Sequence, residues 1–216
     1  MALVVENLTA RRGAFVVQVE RLEVNSVVAV VGRNGAGKTT LLDAVAGVIN
    51  AVGRVLACGR DVSRLPPEKR GLAYVQSIPV DPPTRVDKFL KMVARRHGSD
   101  VEEVVRRLGI EALLTRRGGL STGQRQLVNL AAALLTRPCA FLMDEPASHL
   151  DWMNKKVFND AVKALERPVL YVTHDPFEAM YVADVICIME RGRIMRCVEN
   201  RTDITHIYKT AESLWA

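Results

Sequence analysis

The sequence predicts an α/β domain with a mostly parallel sheet and an inserted α-helical subdomain. Three observations carry that prediction. Short β-branched runs alternate with helical patterns along most of the chain, the pattern expected of a sheet covered by helices. A glycine-rich turn joins one of those runs to the helix that follows it. From about residue 84 the alternation stops, and two basic helical patterns follow with no strand between them.

The candidate strands, in order, are Leu3–Leu8, Phe15–Leu22, Val27–Val31, Arg54–Cys58, Ala73–Gln76, Cys139–Met143, Val169–Thr173 and Val185–Glu190. Several are apolar on consecutive residues, as parallel strands covered on both faces require. Arg191-Gly192, between ICIME and RIMRC, has the composition of a hairpin turn. The candidate helices are Lys38–Ala46, Val86–Arg96, Val101–Leu108, Thr122–Leu135, Lys155–Leu165 and Pro176–Val182. Gly47 suits the position that ends the first helix in a left-handed turn. Phe158, Ala161, Val162 and Leu165 give the fifth one apolar face. The expected organisation is one domain over residues 1–216, with the helical subdomain at about 84–135 inside it.

Composition narrows the class. Of 216 residues, 49% are hydrophobic and 25% charged, enough for a real core and against disorder over most of the chain. The net charge of +6 suggests an anionic ligand, a membrane surface or nucleic acid. Residues 85–125 alone carry ten basic against five acidic side chains. No apolar run approaches the ~18–20 residues that span a bilayer. The opening MALVVENLTARR lacks the basic start of a secretory signal. The expectation is a chain neither integral to a membrane nor exported. No two of Cys58, Cys139, Cys187 and Cys197 stand two residues apart, which excludes a zinc ribbon or a thioredoxin-like motif. They are expected to be small buried hydrophobes in a reducing cytosol.

The chemistry-bearing residues begin at Gly32-Arg33-Asn34-Gly35-Ala36-Gly37-Lys38-Thr39, which matches the phosphate-loop pattern GxxxxGK[ST] between a strand and a helix. Glycines let the loop turn back and aim backbone N–H groups at phosphate oxygens, and the helix adds its positive end. Lys38 would reach the β- and γ-phosphates, and the Thr39 hydroxyl would ligate Mg2+. Asp144-Glu145 follow the Cys139–Met143 run, at the strand end where α/β folds place ligands. The first acid suits a water-mediated hold on Mg2+. The second is placed to take a proton from an attacking water. Leu120-Ser121-Thr122-Gly123-Gln124 precedes a long helix and could form a second anion site.

With that second site the chain resembles the ATP-binding subunit of an ABC transporter. LSTGQRQ is similar to the family signature LSGGQ, with Thr122 where Gly is usual. Asp144-Glu145-Pro146 is similar to the Walker B end, and Ala147-Ser148-His149-Leu150-Asp151 to the D-loop, with His149 where Ala is common. Gln76 resembles the Q-loop glutamine, and His174, in VTHD, the switch histidine. The resemblance covers about residues 3–195. It implies the ABC ATPase fold: a P-loop NTPase core, an N-terminal antiparallel β-subdomain and the helical insert.

It further implies a head-to-tail homodimer, or pair with another ATPase subunit, around two ATP molecules. Glu145, His174, Gln76 and Lys38 would be catalytic. Gly32, Asn34, Gly35, Ala36, Gly37, Lys38, Thr39 and Thr40 would hold ATP in one subunit, and Ser121 and Gly123 would bind the γ-phosphate in trans. Mg2+ would sit at Thr39, Gln76 and Asp144. Asp151 would couple the two sites. The family usually stacks adenine on an aromatic residue near Arg11-Arg12. None stands there, so Phe15 is the nearest aromatic platform, and an Arg could stack instead. The implied partners are integral membrane permease subunits and a solute-binding protein, with the chain peripheral on the cytoplasmic face of the cell membrane. THDPFEAM resembles importer subunits. The expected activity is Mg-dependent ATP hydrolysis coupled to solute import. The alternative is a soluble ABC-type ATPase acting on nucleic acid or a protein assembly, motivated by the basic stretch 85–125. The long coiled coils, zinc modules or second cassette of such relatives are absent, so nucleic acid is the disfavoured partner.

Overall fold

The computed structural model describes residues 2–200. The part of the expected 1–216 domain beyond residue 200 lies outside the described residues. In chain order the elements are β1 (Leu3–Arg12), β2 (Phe15–Val24), β3 (Val27–Val31), α1 (Lys38–Ala46), β4 (Ala51–Ala57), β5 (Arg60–Asp61), β6 (Leu72–Gln76), α2 (Val86–His97), α3 (Val101–Leu108), α4 (Thr122–Leu135), β7 (Ala140–Asp144), α5 (Trp152–Lys163), β8 (Val169–Thr173), α6 (Pro176–Val182), β9 (Val185–Glu190) and β10 (Arg193–Glu199).

All ten strands form one sheet in the order β5-β4-β1-β2-β10-β9-β3-β8-β7-β6. The half from β9 to β6 is parallel throughout. The other half is antiparallel, apart from the single parallel pair Arg193–Gln18 that joins β10 to β2. The sheet is therefore a parallel core with an antiparallel N-terminal wing.

Two apolar clusters lie on the two faces, and β3 shows why its five residues are all apolar. Val27, Ala29 and Val31 point into the cluster under the helices α2–α6. Val28 and Val30 point into the cluster shared by α1 and the N-terminal strands. β7 and β8 divide the same way, with Phe141, Met143, Val169 and Tyr171 on one face and Leu142, Leu170 and Val172 on the other. Pleating sends neighbours to opposite faces, so a doubly covered strand must be apolar at every position.

The helical insert packs α2 and α3 against α4. The four cysteines correct the expectation of reduced thiols. Cys58 is bonded to Cys139 and Cys187 to Cys197, leaving no unpaired cysteine among the described residues. Cys187 and Cys197 are direct cross-strand partners of the β9–β10 hairpin. Cys58 and Cys139 are separated by 81 positions, and the sheet brings their Cα atoms to 5.6 Å.

Candidate functional site

The parallel ladders align the chemistry. Gln76 pairs with Asp144, Asp144 with Val172, and Val31 with Thr173. Gln76, Asp144-Glu145, His174 and the loop after β3 therefore emerge at one end of the sheet. The motifs are far apart in sequence and meet because four parallel strands stop in register.

The phosphate loop turns through left-handed glycines, with φ +84° at Gly35 and +105° at Gly37. A Cβ at Gly37 would stand 2.8 Å from Phe15 Cε1 and 2.9 Å from Val17 Cγ2. Glycine is thus required twice there, for its conformation and for the close approach of β2. The β9–β10 hairpin braces the loop from outside, as Gly192 N donates to Ala36 O at 2.9 Å. Asn34 and Gly35 form the exposed rim; Gly32, Ala36 and Thr40 are buried. Helix α1 has no side-chain cap and no acidic residue in its first turn. Helices α3 to α6 each close their first turn with an Asp or Ser side chain. The N-terminal amides of α1 are thus left for an external anion.

Lys38 is 6% exposed. Its Nζ donates to Gly32 O at 2.8 Å and Arg33 O at 3.3 Å, and Glu145 Oε1 lies 3.7 Å away. Burial holds the ammonium below its ordinary pKa, against the opposing pull of Glu145 and Asp144. Thr39 Oγ1 donates to Asp144 Oδ1 at 3.2 Å. Burial also pushes the Asp144 carboxyl up, with Glu145 and Asp43 adding repulsion. A divalent cation beside it would reverse that shift.

Glu145 is a non-glycine residue at φ +47°. That conformation is uncommon and costly, and here the neighbours fix it. Its N donates to Val172 O at 2.9 Å, and Oε2 lies 2.6 Å from His174 Nδ1. One carboxylate thus faces both the loop lysine and the histidine. Behind His174 a buried network holds α6 in place. Glu178 accepts from Tyr171 Oη at 2.6 Å and from Thr173 Oγ1 at 2.9 Å.

The expected signature residues sit apart from the loop. Among the described residues no hydrogen bond or ion pair joins Ser121 or Gly123 to it. Ser121 caps α4: its Oγ accepts from Gln124 N at 3.2 Å, and its N donates to Gln124 Oε1 at 3.0 Å. The serine hydroxyl accepts there, so its hydrogen is available to an outside acceptor. A Cβ on Gly123 would meet Asn154 Cγ at 2.5 Å. Asn154 also donates through N and Nδ2 to the two oxygens of Asp151, at 2.9 and 2.6 Å. Gln76 has an exposed side chain beside the loop end. Phe15 is half-buried against Gly37, and Arg12 is tied to Asp43 of α1 at 2.6 Å.

No group of three or more His, Cys, Asp or Glu positioned to hold a metal occurs among the described residues. The Thr39–Asp144 pair still fits Mg2+, which takes hard oxygens, few protein ligands, several waters and phosphate oxygens. Sequence reasoning missed Gln126, Asp43, Tyr74 and Arg70. A signal existed for the first: helical spacing puts Gln126 on the face of Leu130 and Ala133, all three buried. The others gather through tertiary contacts, as in Tyr74 Oη donating to Asp43 Oδ1 at 3.0 Å.

Comparison with known proteins gives a consistent picture. The family model described as "ABC transporter" matches residues 20–148. The molybdate/tungstate import ATP-binding protein WtpC of Archaeoglobus fulgidus is 37% identical over 176 residues, 76% of this chain and 73% of that protein. The sulfoquinovosyl glycerol transport ATP-binding protein SmoE of Agrobacterium fabrum is 39% identical over 189 residues, 80% of this chain and 53% of that protein. The chain thus spans about half the length of the second relative. A nucleotide-free ATP-binding cassette from an ABC transporter superposes with a TM-score of 0.83 at 21% identity, covering 100% of this chain and 99% of that one. That last likeness speaks to the fold alone.

Proposed function

We propose, from the premise that this chain belongs to the ABC transporter family, that it binds and hydrolyses ATP to power solute import through a separate membrane permease. The observation that carries this reading is the convergence of Lys38, Glu145 and His174 at the end of the phosphate loop. The backbone amides of Gly35 to Thr39 would receive the phosphates, with Thr40 on the α-phosphate. Lys38 Nζ would leave the carbonyls of Gly32 and Arg33 for β- and γ-phosphate oxygens. Burial lowers the Lys38 pKa, and the carboxylates of Glu145 and Asp144 oppose the loss of its proton. Glu145, oriented by His174, would accept the proton of the attacking water, and Gln76 would help place that water. Thr39, Asp144 and Gln76 would hold Mg2+, which neutralises charge on the transferring phosphoryl group.

The unit is one cassette over residues 1–216. Ser121 and Gly123 lie away from their own loop, which supports a head-to-tail homodimer in which each signature turn completes its partner's site. Phe15 packs against Gly37 and is our candidate for the base platform. The names of both relatives concern transport, and permease subunits with a solute-binding protein are the partners this reading requires. No helix among the described residues is long and apolar enough to cross a membrane; in this reading the permease would supply the path, with this chain peripheral on the cytoplasmic side. The basic stretch gives little support to a nucleic-acid partner, because several of its cations are engaged within the chain: Arg85 with Asp87, Arg125 with Asp81 and Arg107 with Ala164 O.

The test is phosphate release by the full chain with Mg2+ and ATP, beside Glu145→Gln and His174→Ala. Both variants should lose hydrolysis, and Glu145→Gln should accumulate as an ATP-dependent dimer in size-exclusion chromatography. Wild-type rates in either variant would refute the assignment.

A further inference from the structure

We propose that Gln126 is a positioning residue that sets the catalytic strand ends in register with the signature turn, so that hydrolysis depends on the placement of α4 while nucleotide binding does not. This rests on the ATPase reading above. Gln126 is 0% exposed. Its Nε2 donates to Gln76 O at 2.8 Å and to Pro146 O at 2.7 Å. The β6–β7 ladder ends on the pair Gln76–Asp144, so one carboxamide ties the end of β6 to the backbone just past Glu145. Both of its N–H groups are used.

The other end of that amide gives the direction of the argument. Gln126 Oε1 is buried with no partner, and an unmade buried acceptor opposes folding. An aliphatic side chain of the same volume would avoid that cost and would leave the two carbonyls without their donor. The amide is therefore a poor core residue and a good clamp. A turn further along α4, Asn129 Nδ2 donates to Val80 O at 2.8 Å, so the helix grips both the end of β6 and the segment after it. The same helix begins at Ser121. A shift of α4 that carries the signature turn also carries Gln76 and the Glu145 backbone. The phosphate loop and Lys38 are carried by α1 and meet this linkage only through the side-chain contacts Thr39–Asp144 and Lys38–Glu145.

The experiment compares full-length wild type with Gln126→Met and Gln126→Glu for ATP affinity, kcat and thermal midpoint. Methionine keeps the volume and removes both donors. Glutamate regains one donor only when protonated. We expect kcat to fall about tenfold to a hundredfold in Gln126→Met, the range for catalytic groups displaced by up to about 1 Å, with ATP affinity changed less than about twofold. Gln126→Glu should lie between wild type and Gln126→Met at low pH and fall to the Gln126→Met level or below it as pH rises, when the buried carboxylate faces the two carbonyls. A purely structural role would lower affinity, activity and thermal midpoint together. That result, or a Gln126→Met kcat within about twofold of wild type, would overturn the proposal. Absence of hydrolysis by the wild type would instead overturn the ATPase reading, before any variant is compared.

Discussion

Arg70 anchors the C-terminal end of the phosphate-loop helix, and replacing it with methionine isolates that anchor. The side chain is 8% exposed and meets only carbonyls among the described residues. Nε donates to Leu65 O, Nη2 to Ser63 O and Nη1 to Val45 O, each at 2.8 Å, and Nη1 also reaches Ala44 O at 3.2 Å. Ala44 and Val45 belong to the last turn of α1, where the carbonyls form the negative end of the helix. Four charge-assisted bonds at about 1.5–3 kcal/mol each would total roughly 6–12 kcal/mol. Desolvation opposes them, as the lowered Arg70 pKa reflects, and Ala44 O keeps Gly47 N as a donor at 3.1 Å. Arg70→Met leaves the carbonyls of Leu65, Ser63 and Val45 without this donor, and at about 1–3 kcal/mol per stranded buried polar group the net loss should be about 3–5 kcal/mol. With a urea slope of about 2–3 kcal/mol/M, the unfolding midpoint should fall by roughly 1–2 M. Arg70→Lys keeps the charge with fewer donors and should recover part of the loss. A midpoint for Arg70→Met equivalent to less than about 1 kcal/mol of destabilisation would refute the reasoning, because the bonds would then only balance desolvation.

Gly123→Ala should destabilise by about 1–3 kcal/mol through overpacking against Asn154, even though alanine is the better helix former by about 1 kcal/mol; a stabilised variant in urea unfolding would contradict the contact. Reduction of the disulfides should lower the thermal midpoint. The chain-entropy model gives at most about 4.5 kcal/mol for Cys58–Cys139 and about 2.7 kcal/mol for Cys187–Cys197, so Cys58→Ser should cost more than Cys197→Ser, and equal midpoints would speak against loop length as the cause. The Asp87 carboxyl, held by Arg85 at 2.6 Å, is depressed to about 2. Its stabilising contribution is present above about pH 4 and is lost as pH falls through about 2. NMR titration should find that low value in wild type and a return toward the ordinary carboxylate range in Arg85→Ala.

The parallel half of the fold was legible because burial on both faces is a simple constraint. A strand that must be apolar at every position, such as Val27–Val31, cannot be confused with its surroundings. Errors fell where tertiary contacts extend or start an element. β1 runs on to Arg12 past a bulge at Asn7, φ +49°, because β2 and β4 flank it on both sides. Helix α5 starts at Trp152, three residues before the apolar face suggested, because Asp151 caps it while Trp152 and Met153 stay exposed. The Cys187–Cys197 pairing follows from the register of a hairpin whose turn is legible, whereas Cys58–Cys139 has no local trace, because it needs the meeting of two strand ends 81 positions apart.

The site divides along the same line. Groups that act from a turn next to their own strand were readable, since glycine, lysine and acid identities there are dictated by local chemistry. Groups that act by reaching another element were not. Arg12 makes the difference concrete. Read alone, its planar guanidinium could stand in for a missing aromatic base platform. In the fold it is bound to Asp43, which also accepts from Tyr74, so its charge is already committed to the helix behind the phosphate loop. Phe15, by contrast, lies against Gly37 with no polar obligation. Stacking on Phe15 would recognise any base by its face, and neither residue offers a hydrogen-bond pattern unique to adenine. Selectivity among nucleoside triphosphates should therefore be weak in this chain, with affinity dominated by the phosphates. Comparable affinities for ATP and GTP in a fluorescence competition titration would agree with that geometry, and a strong preference for ATP would require an adenine contact supplied by some other group.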